Sequence, residues 1–168
     1  MKAITAPLTC LLVASLAALS WAQAAHADER VCRGTIGAQH IDGDVRVPAG
    51  ASCTLRDTRI DGNIKVGRGG KLSAHGVRVD GNVQAEGAQS VRVAGARVDG
   101  NIQLKQGGAV QVSGSTVDGD IQVLSNRGAI GIRSNRVDGN LQCKSNRMAP
   151  QGGSNRVRGN REDQCAGL

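Results

Sequence analysis

The sequence contains no Tyr and no Phe, and its one Trp is Trp21. Globular cores draw much of their buried area from aromatic rings, so this composition argues against a conventional layered α/β domain. No window repeats apolar residues at helical spacing, so no amphipathic helix is expected. No apolar run reaches the ~20 residues of a membrane-spanning helix. Disorder is also disfavoured, because Val, Ile and Leu recur at regular intervals. In excess are glycine, with 24 residues, and positive charge, with 21 Lys and Arg against 14 Asp and Glu, a formal +7. A chain of 168 residues corresponds to one domain.

The first 27 residues read as a signal peptide. Lys2 supplies the positive n-region, Leu8 to Leu19 the apolar run, and Ala25-His26-Ala27 an A-x-A cleavage site, with Ala22-Gln23-Ala24 as an alternative. Cys10 sits inside the apolar run behind Thr9, so lipidation there is not expected. The mature domain, residues 28–168, then lacks aromatic residues altogether and is expected in the periplasm or outside the cell.

The motif Ile/Val-Asp-Gly-Asn/Asp-Ile/Val begins at Ile41, Ile60, Val79, Val98, Val117 and Val137, with a degenerate copy at Val157. The spacings are 19, 19, 19, 19, 20 and 20. Within each copy the apolar residues alternate, as in Ile102-Gln103-Leu104 and Val110-Gln111-Val112, and Gly-rich corners separate the alternating runs. This is strand periodicity with turn punctuation. A unit this short cannot bury its apolar face alone, whereas stacked copies share a continuous narrow core. The expected architecture is an all-β, single-domain parallel β-helix, or β-solenoid, of about seven coils, each rising ~4.8 Å. The crossover rule favours the right hand, although the pattern itself does not fix it.

The stacked Val-Asp-Gly-Asn-Ile-Gln-Val units resemble right-handed β-helix repeats of bacterial extracytoplasmic proteins. The ending from Gly139-Asn140-Leu141-Gln142-Cys143 through Gly152-Gly153-Ser154-Asn155 and Gly159-Asn160 to Gln164-Cys165 is similar to the closing segment of a recurring family of secreted bacterial proteins without an established function. The coil length is also similar to that of bactofilins, polymer-forming bacterial β-helices, from which the signal peptide and cysteines depart.

Four cysteines follow the signal peptide, an even number that fits an oxidising compartment. Cys32 and Cys53 are 21 residues apart, and Cys143 and Cys165 are 22 apart, so each pair lies about one coil apart. Any other pairing would cross four or more coils, far beyond the ~7 Å between Cα atoms that a disulfide spans. The expected bridges are Cys32–Cys53 and Cys143–Cys165. Without neighbouring histidines or a CxxC spacing, they are not expected to bind metal.

The Asp of each motif (Asp42, Asp61, Asp80, Asp99, Asp118, Asp138) should stack into a column. Arg59, Arg78, Arg97, Arg136 and Arg156 precede it by two residues in most copies, on the same strand face. Neutralisation is therefore expected rather than a calcium array. Thr116 interrupts the Arg column, so Asp118 and Asp120 are the best cation ligands if a site exists. Asn63, Asn82, Asn101, Asn140 and Asn160, with Asp44 and Asp120 in the other copies, should form a second, hydrogen-bonded column. The glycines between, such as Gly62 and Gly81, are expected to supply positive φ at a corner.

Basic residues crowd the C-terminal third, and Arg127, Arg147 and Arg158 are the candidate anion-binding residues. Nucleic acid is not an expected partner, because stacking aromatics are lacking. His40 and His75 look isolated, without a Ser or Cys nucleophile beside them. The sequence thus points to a monomeric, non-enzymatic, cofactor-free scaffold or binding module for anionic envelope glycans or lipid headgroups. The alternatives are a polysaccharide lyase or hydrolase of the pectate-lyase-like class and a bactofilin-like self-assembling protein.

Overall fold

The computed structural model describes residues 29–168, and the signal-peptide reading, with Cys10 and Trp21, falls outside them. Alternating apolar residues make short strands, and the glycine-rich corners end them. The chain winds through three parallel sheets, visiting each once per coil. Sheet A has eight strands, from Arg30–Val31 to Arg161–Asp163. Sheet B has seven, from Gly34–Ile36 to Gln151–Gly153, and sheet C has seven two-residue strands, from His40–Ile41 to Arg156–Val157. The rod is a β-solenoid of about seven coils, roughly 35 Å long at ~4.8 Å per strand spacing.

Register is strict from coil to coil. Val83 faces Ile64 and Ile102 in sheet A, Val93 faces Ala74 and Val112 in sheet B, and Val98 faces Val79 and Val117 in sheet C. Inward residues therefore stack like on like. Ile60, Ile64, Ile102, Leu104, Ile121 and Leu141 are almost completely buried. Each such side chain contributes ~1.5–3 kcal/mol by leaving water, which is how a core without aromatic rings is held.

Both bridges join adjacent coils inside this core. Cys32 pairs with Cys53 and Cys143 with Cys165, with Cα–Cα distances of 5.6 and 5.2 Å. All four cysteines are buried at core positions. Near the C-terminus, Leu168 packs against the end of the core.

Two features differ from the sequence reading. None of the motif glycines from Gly43 to Gly139 has a positive φ. They are required by close approach instead. A Cβ at Gly81 would lie 2.6 Å from the Gly62 carbonyl oxygen and 2.7 Å from Asn63 Oδ1, and one at Gly100 would lie 2.6 Å from the corresponding atoms. Positive φ occurs at the other two corners, at Gly76, Gly87, Gly95 and Gly114, and in later coils at Ser125, Ser134, Ser145 and Ser154.

The second difference lies inside those corners. Two inward positions of each coil do not belong to the alternating strands. Val77, Ala88 and Ala96 fill them in earlier coils, whereas Asn126, Asn135, Asn146 and Asn155 fill them later, all buried. Asn135 Oδ1 accepts the Ser115 N–H at 3.0 Å, and its Nδ2 donates to the Val112 carbonyl at 3.0 Å. Asn126 Oδ1 accepts the Gly107 N–H at 2.9 Å, and its Nδ2 donates to the Leu104 carbonyl at 2.9 Å. The amide oxygens satisfy corner N–H groups that would otherwise be buried without acceptors, and the amide nitrogens add a second bond to carbonyls of the flanking strands.

Candidate functional site

Charge is sorted around the rod by the repeat. The corner between sheets C and A carries the Asp-Gly-Asn motifs and hence most of the carboxylates. Its Asp column is held by arginines in two directions. Arg59 reaches Asp61 of its own coil at 3.2 Å and Asp80 of the next at 3.0 Å, and Arg97 reaches Asp99 at 3.1 Å and Asp118 at 2.8 Å. The guanidinium thus takes oxygens from two coils at once. Two neighbouring carboxylates, with Asp61 foremost, strengthen the hold of Arg59 on its proton.

This geometry changes the reading of Asp118 and Asp120. Asp118 does not lack an arginine, because Arg97 arrives from the preceding coil 21 residues earlier. Asp120 occupies the Asn column, and its Oδ1 accepts the Asn140 N–H at 2.7 Å. The two carboxylates belong to separate columns and are already engaged. Elsewhere along the Asn column the expected ladder is present. Asn63 Oδ1 accepts both the Asn82 N–H at 2.9 Å and its Nδ2 at 3.0 Å, and Asn82 Oδ1 does the same for Asn101.

At the N-terminal end of the Arg column stands His40, in register with Arg59. It is not isolated, since its Nε2 lies 2.8 Å from Asp61 Oδ1 and 3.5 Å from Asp42 Oδ1. The hydrogen bond from His40, followed by that from Arg59, holds the Asp61 carboxyl below the usual range. The His40, Asp42 and Asp61 ligand atoms are close enough to share a small cation. All three residues are exposed, and Asp61 is already bonded to Arg59. Nearby, burial raises the Asp44 carboxyl, but the Lys65 ammonium 2.5 Å away and the Asn63 N–H more than offset it, so Asp44 is lowered overall. Further along, Asp138 lies 3.7 Å from Arg136 and 3.3 Å from Arg158, and its Oδ1 is buried without a hydrogen bond.

The three candidate anion-binding arginines do not form one face. Arg127 and Arg147 follow Asn126 and Asn146 on adjacent coils, at the corner between sheets A and B, where the Arg147 N–H bonds the Asn126 carbonyl. Arg158 lies at the C–A corner, takes the Asp position of its coil, and is paired with Asp138. The physical reason is the coil path: equal sequence density of arginine is distributed over different corners. Among the described residues, no carboxylate lies within salt-bridge distance of Arg127 or Arg147.

The outer face of sheet B carries no carboxylate at all. A groove of about 570 Å³ runs along it, from Ser52 and Thr54 to Met148 and Gln151. Lys71, Arg92 and Arg133 line it. His75, also on this face, lies 3.0 Å from the Ser73 hydroxyl through Nε2, which corrects the expectation that no serine stands beside it: the two are two apart on one strand and share its outer side. No acid is bonded to His75 among the described residues, so the pair lacks the third group that would orient the ring as a base. The signal for this face was available in the repeat: residues two apart on the sheet B strands share one side.

Comparison with protein-family models, curated proteins and solved structures finds no match to this chain. Among the described residues no helix is long and apolar enough to cross a membrane.

Proposed function

We propose that this protein is a non-enzymatic extracytoplasmic binding module whose ligand is an anionic polymer of the cell envelope. The observation that carries this reading is the separation of charge around the rod. At the C–A corner arginines such as Arg59 and Arg97 hold the aspartates, while the sheet B face presents Lys71, Arg92 and Arg133 without a carboxylate partner among the described residues. Such a field attracts polyanions and holds them in a salt-dependent way. Two cysteine pairs at bridging distance are compatible with an oxidising, extracytoplasmic location. The rigid, register-locked rod supplies a fixed display surface with little ordering cost on binding.

Retention on a heparin-type resin tests the reading directly. The protein is expected to bind at low ionic strength and to elute as salt approaches physiological strength or above. Flow-through at low salt would end the proposal and leave the cations as solvated surface.

A further inference from the structure

The groove on sheet B differs in chemistry from the acidic C–A corner. Three outward columns meet in it. One runs Ser52, Lys71, Ser90, Ala109 and then Ala129 and Ala149; the next runs Thr54, Ser73, Arg92, Gln111, Gly131 and Gln151; the third, through His75, Ala94 and Ser113, contributes Arg133. Coil stacking turns these columns into straight lines parallel to the rod axis, so any ligand that follows them is linear. The groove crosses six strands, or roughly 24 Å at ~4.8 Å per strand.

Three chemical characters occur along it. Lys71, Arg92 and Arg133 provide positive charge at three heights, with no acidic residue among the lining side chains. Ser, Thr and Gln side chains provide groups that both donate and accept hydrogen bonds. Alanine, glycine and the half-exposed Met148 provide a low apolar floor. A flexible lipid surface would need a convex or flat contact with several exposed large apolar residues, and nucleic acid would use aromatic stacking. The combination of fixed anionic groups, many hydroxyls and C–H-bearing ring faces on a stiff linear chain belongs to acidic polysaccharides.

We infer that the sheet B groove seats an extended acidic polysaccharide along the rod axis over the middle Arg92–Gln111–Gly131 column, with Lys71 and Arg133 reaching its carboxylates from the columns on either side, Arg92 from below, and the Ala109–Ala129–Ala149 strip flanking its sugar faces. This deepens the binding-module reading above and rests on it, but it assigns the contact to sheet B rather than to Arg127 and Arg147. The Arg92 and Arg133 guanidinium groups give paired donors that match a carboxylate, and Lys71 gives a point charge. No bond is made or broken. The groove holds the chain and does not process it.

The test uses the full chain and fluorescently labelled oligogalacturonate, read by anisotropy at low salt. Its fully methyl-esterified form serves as the uncharged control, and inorganic polyphosphate as a competitor without sugar rings. The acidic oligosaccharide is expected to bind, the ester at least tenfold more weakly, and polyphosphate to compete poorly. Combining Lys71→Gln, Arg92→Gln and Arg133→Gln should weaken binding by roughly tenfold or more. Combining Arg127→Gln and Arg147→Gln should leave it within about twofold. Ala129→Leu, which raises the floor without changing charge, should also weaken it. All these positions point outward, and an unchanged melting midpoint identifies variants that fold normally. If the Arg127/Arg147 variant loses binding while the groove variants keep it, the groove assignment fails and the binding-module reading survives. Equal competition by polyphosphate overturns the sugar component. Failure of the unaltered protein to bind either polyanion overturns both readings.

Discussion

The two halves of the rod solve the same corner in different ways. In the earlier coils the corners read Gly76-Val77, Gly87-Ala88 and Gly95-Ala96: glycine at positive φ, then an apolar side chain turned inward. In the later coils they read Ser125-Asn126, Ser134-Asn135, Ser145-Asn146 and Ser154-Asn155, with serine at positive φ and a buried amide. Apolar corners add burial but offer no acceptor to the backbone N–H stacked over them. Amide corners form ladders, as when Asn126 and Asn135 donate Nδ2 to Asn146 and Asn155 Oδ1 at 3.2 and 3.0 Å. Inside a dry core such bonds are strong when complete and costly when broken. The N-terminal half adds an ionic cluster at the C–A corner, built from His40, Asp61, Arg59, Lys65 and Asp44. One half therefore depends more on burial and charge, the other on buried amides.

The largest expected effect comes from breaking an amide ladder. Asn135→Ala leaves the Ser115 N–H without its acceptor and removes a second donor from the Val112 strand carbonyl. At ~1–3 kcal/mol for the orphaned N–H, with the cavity left by the amide added, a loss of about 3–4 kcal/mol is expected. Val77→Ala, at the equivalent corner of an earlier coil, removes only methyl groups and should cost about 1–2 kcal/mol. Urea unfolding of the two variants measures the difference, and equal losses would mean that the ladder adds nothing beyond packing.

The bridges come next. Cys32→Ser with Cys53→Ser and, separately, Cys143→Ser with Cys165→Ser should each cost about 3 kcal/mol, given loops of 21 and 22 residues. Hydrogen exchange should then separate the halves. Loss of the first bridge exposes an end whose nearest corner is held by the Thr58 hydroxyl on the Gly37 carbonyl rather than by an amide ladder, whereas loss of the second leaves Asn146 bonded to Gln164. Faster exchange near Cys32 than near Cys143 is expected. The reverse order would contradict the division of roles.

Acid should act unequally too. Asp44 and Asp61 have folded pKa values below the ordinary one. Their contribution is therefore present above the unfolded value of about 4 and is lost as pH falls through the lower folded values. The Asn ladders do not titrate. Hydrogen exchange at about pH 3 compared with pH 6 should reveal earlier opening around residues 40–66 than around residues 126–155. Uniform opening would show that the cluster does not carry local stability.

The coil, the register and the cysteine pairs were legible because a repeat converts sequence distance into height. Arg59, Arg97 and the Asn63–Asn82–Asn101 series were legible for the same reason. What escaped were contacts that run diagonally or inward. Arg97 meets Asp118, and His40 meets Asp61, at a separation of 21 residues rather than two. Asn126 and Asn135 do not stand out in the sequence as inward residues, because the alternating pattern marks the interior by apolar side chains alone. The recurrence of Ser-Asn at 125 and 145, and again at 134 and 154, was the available signal. The motif glycines were misread because their constraint is the neighbouring coil's backbone, which a single repeat does not display. The sheet B groove was missed because its cations belong to different repeats and have no shared motif.

The smallest expected effect tests whether serine at positive φ is a cost carried by the later corners. Ser134 has φ 56°, a region that glycine adopts without the Cβ penalty. The penalty for an L-residue there is ~1–2 kcal/mol. Ser134→Gly should recover it, while giving back about 0.5–1 kcal/mol through the greater freedom of glycine in the unfolded chain. A net gain of about 0.5 kcal/mol is expected, provided that the Asn135 amide stays in place. Gly95→Ser, at the equivalent corner of an earlier coil, reverses both contributions. A Cβ at Gly95 meets no atom within 4 Å, so the substitution should destabilise by a similar amount without a steric clash. Paired unfolding curves would show opposite signs if conformation alone decides. A loss in Ser134→Gly would mean that the serine hydroxyl supports its corner, and that the Ser-Asn pair works as a unit rather than as a buried amide beside a tolerated strain.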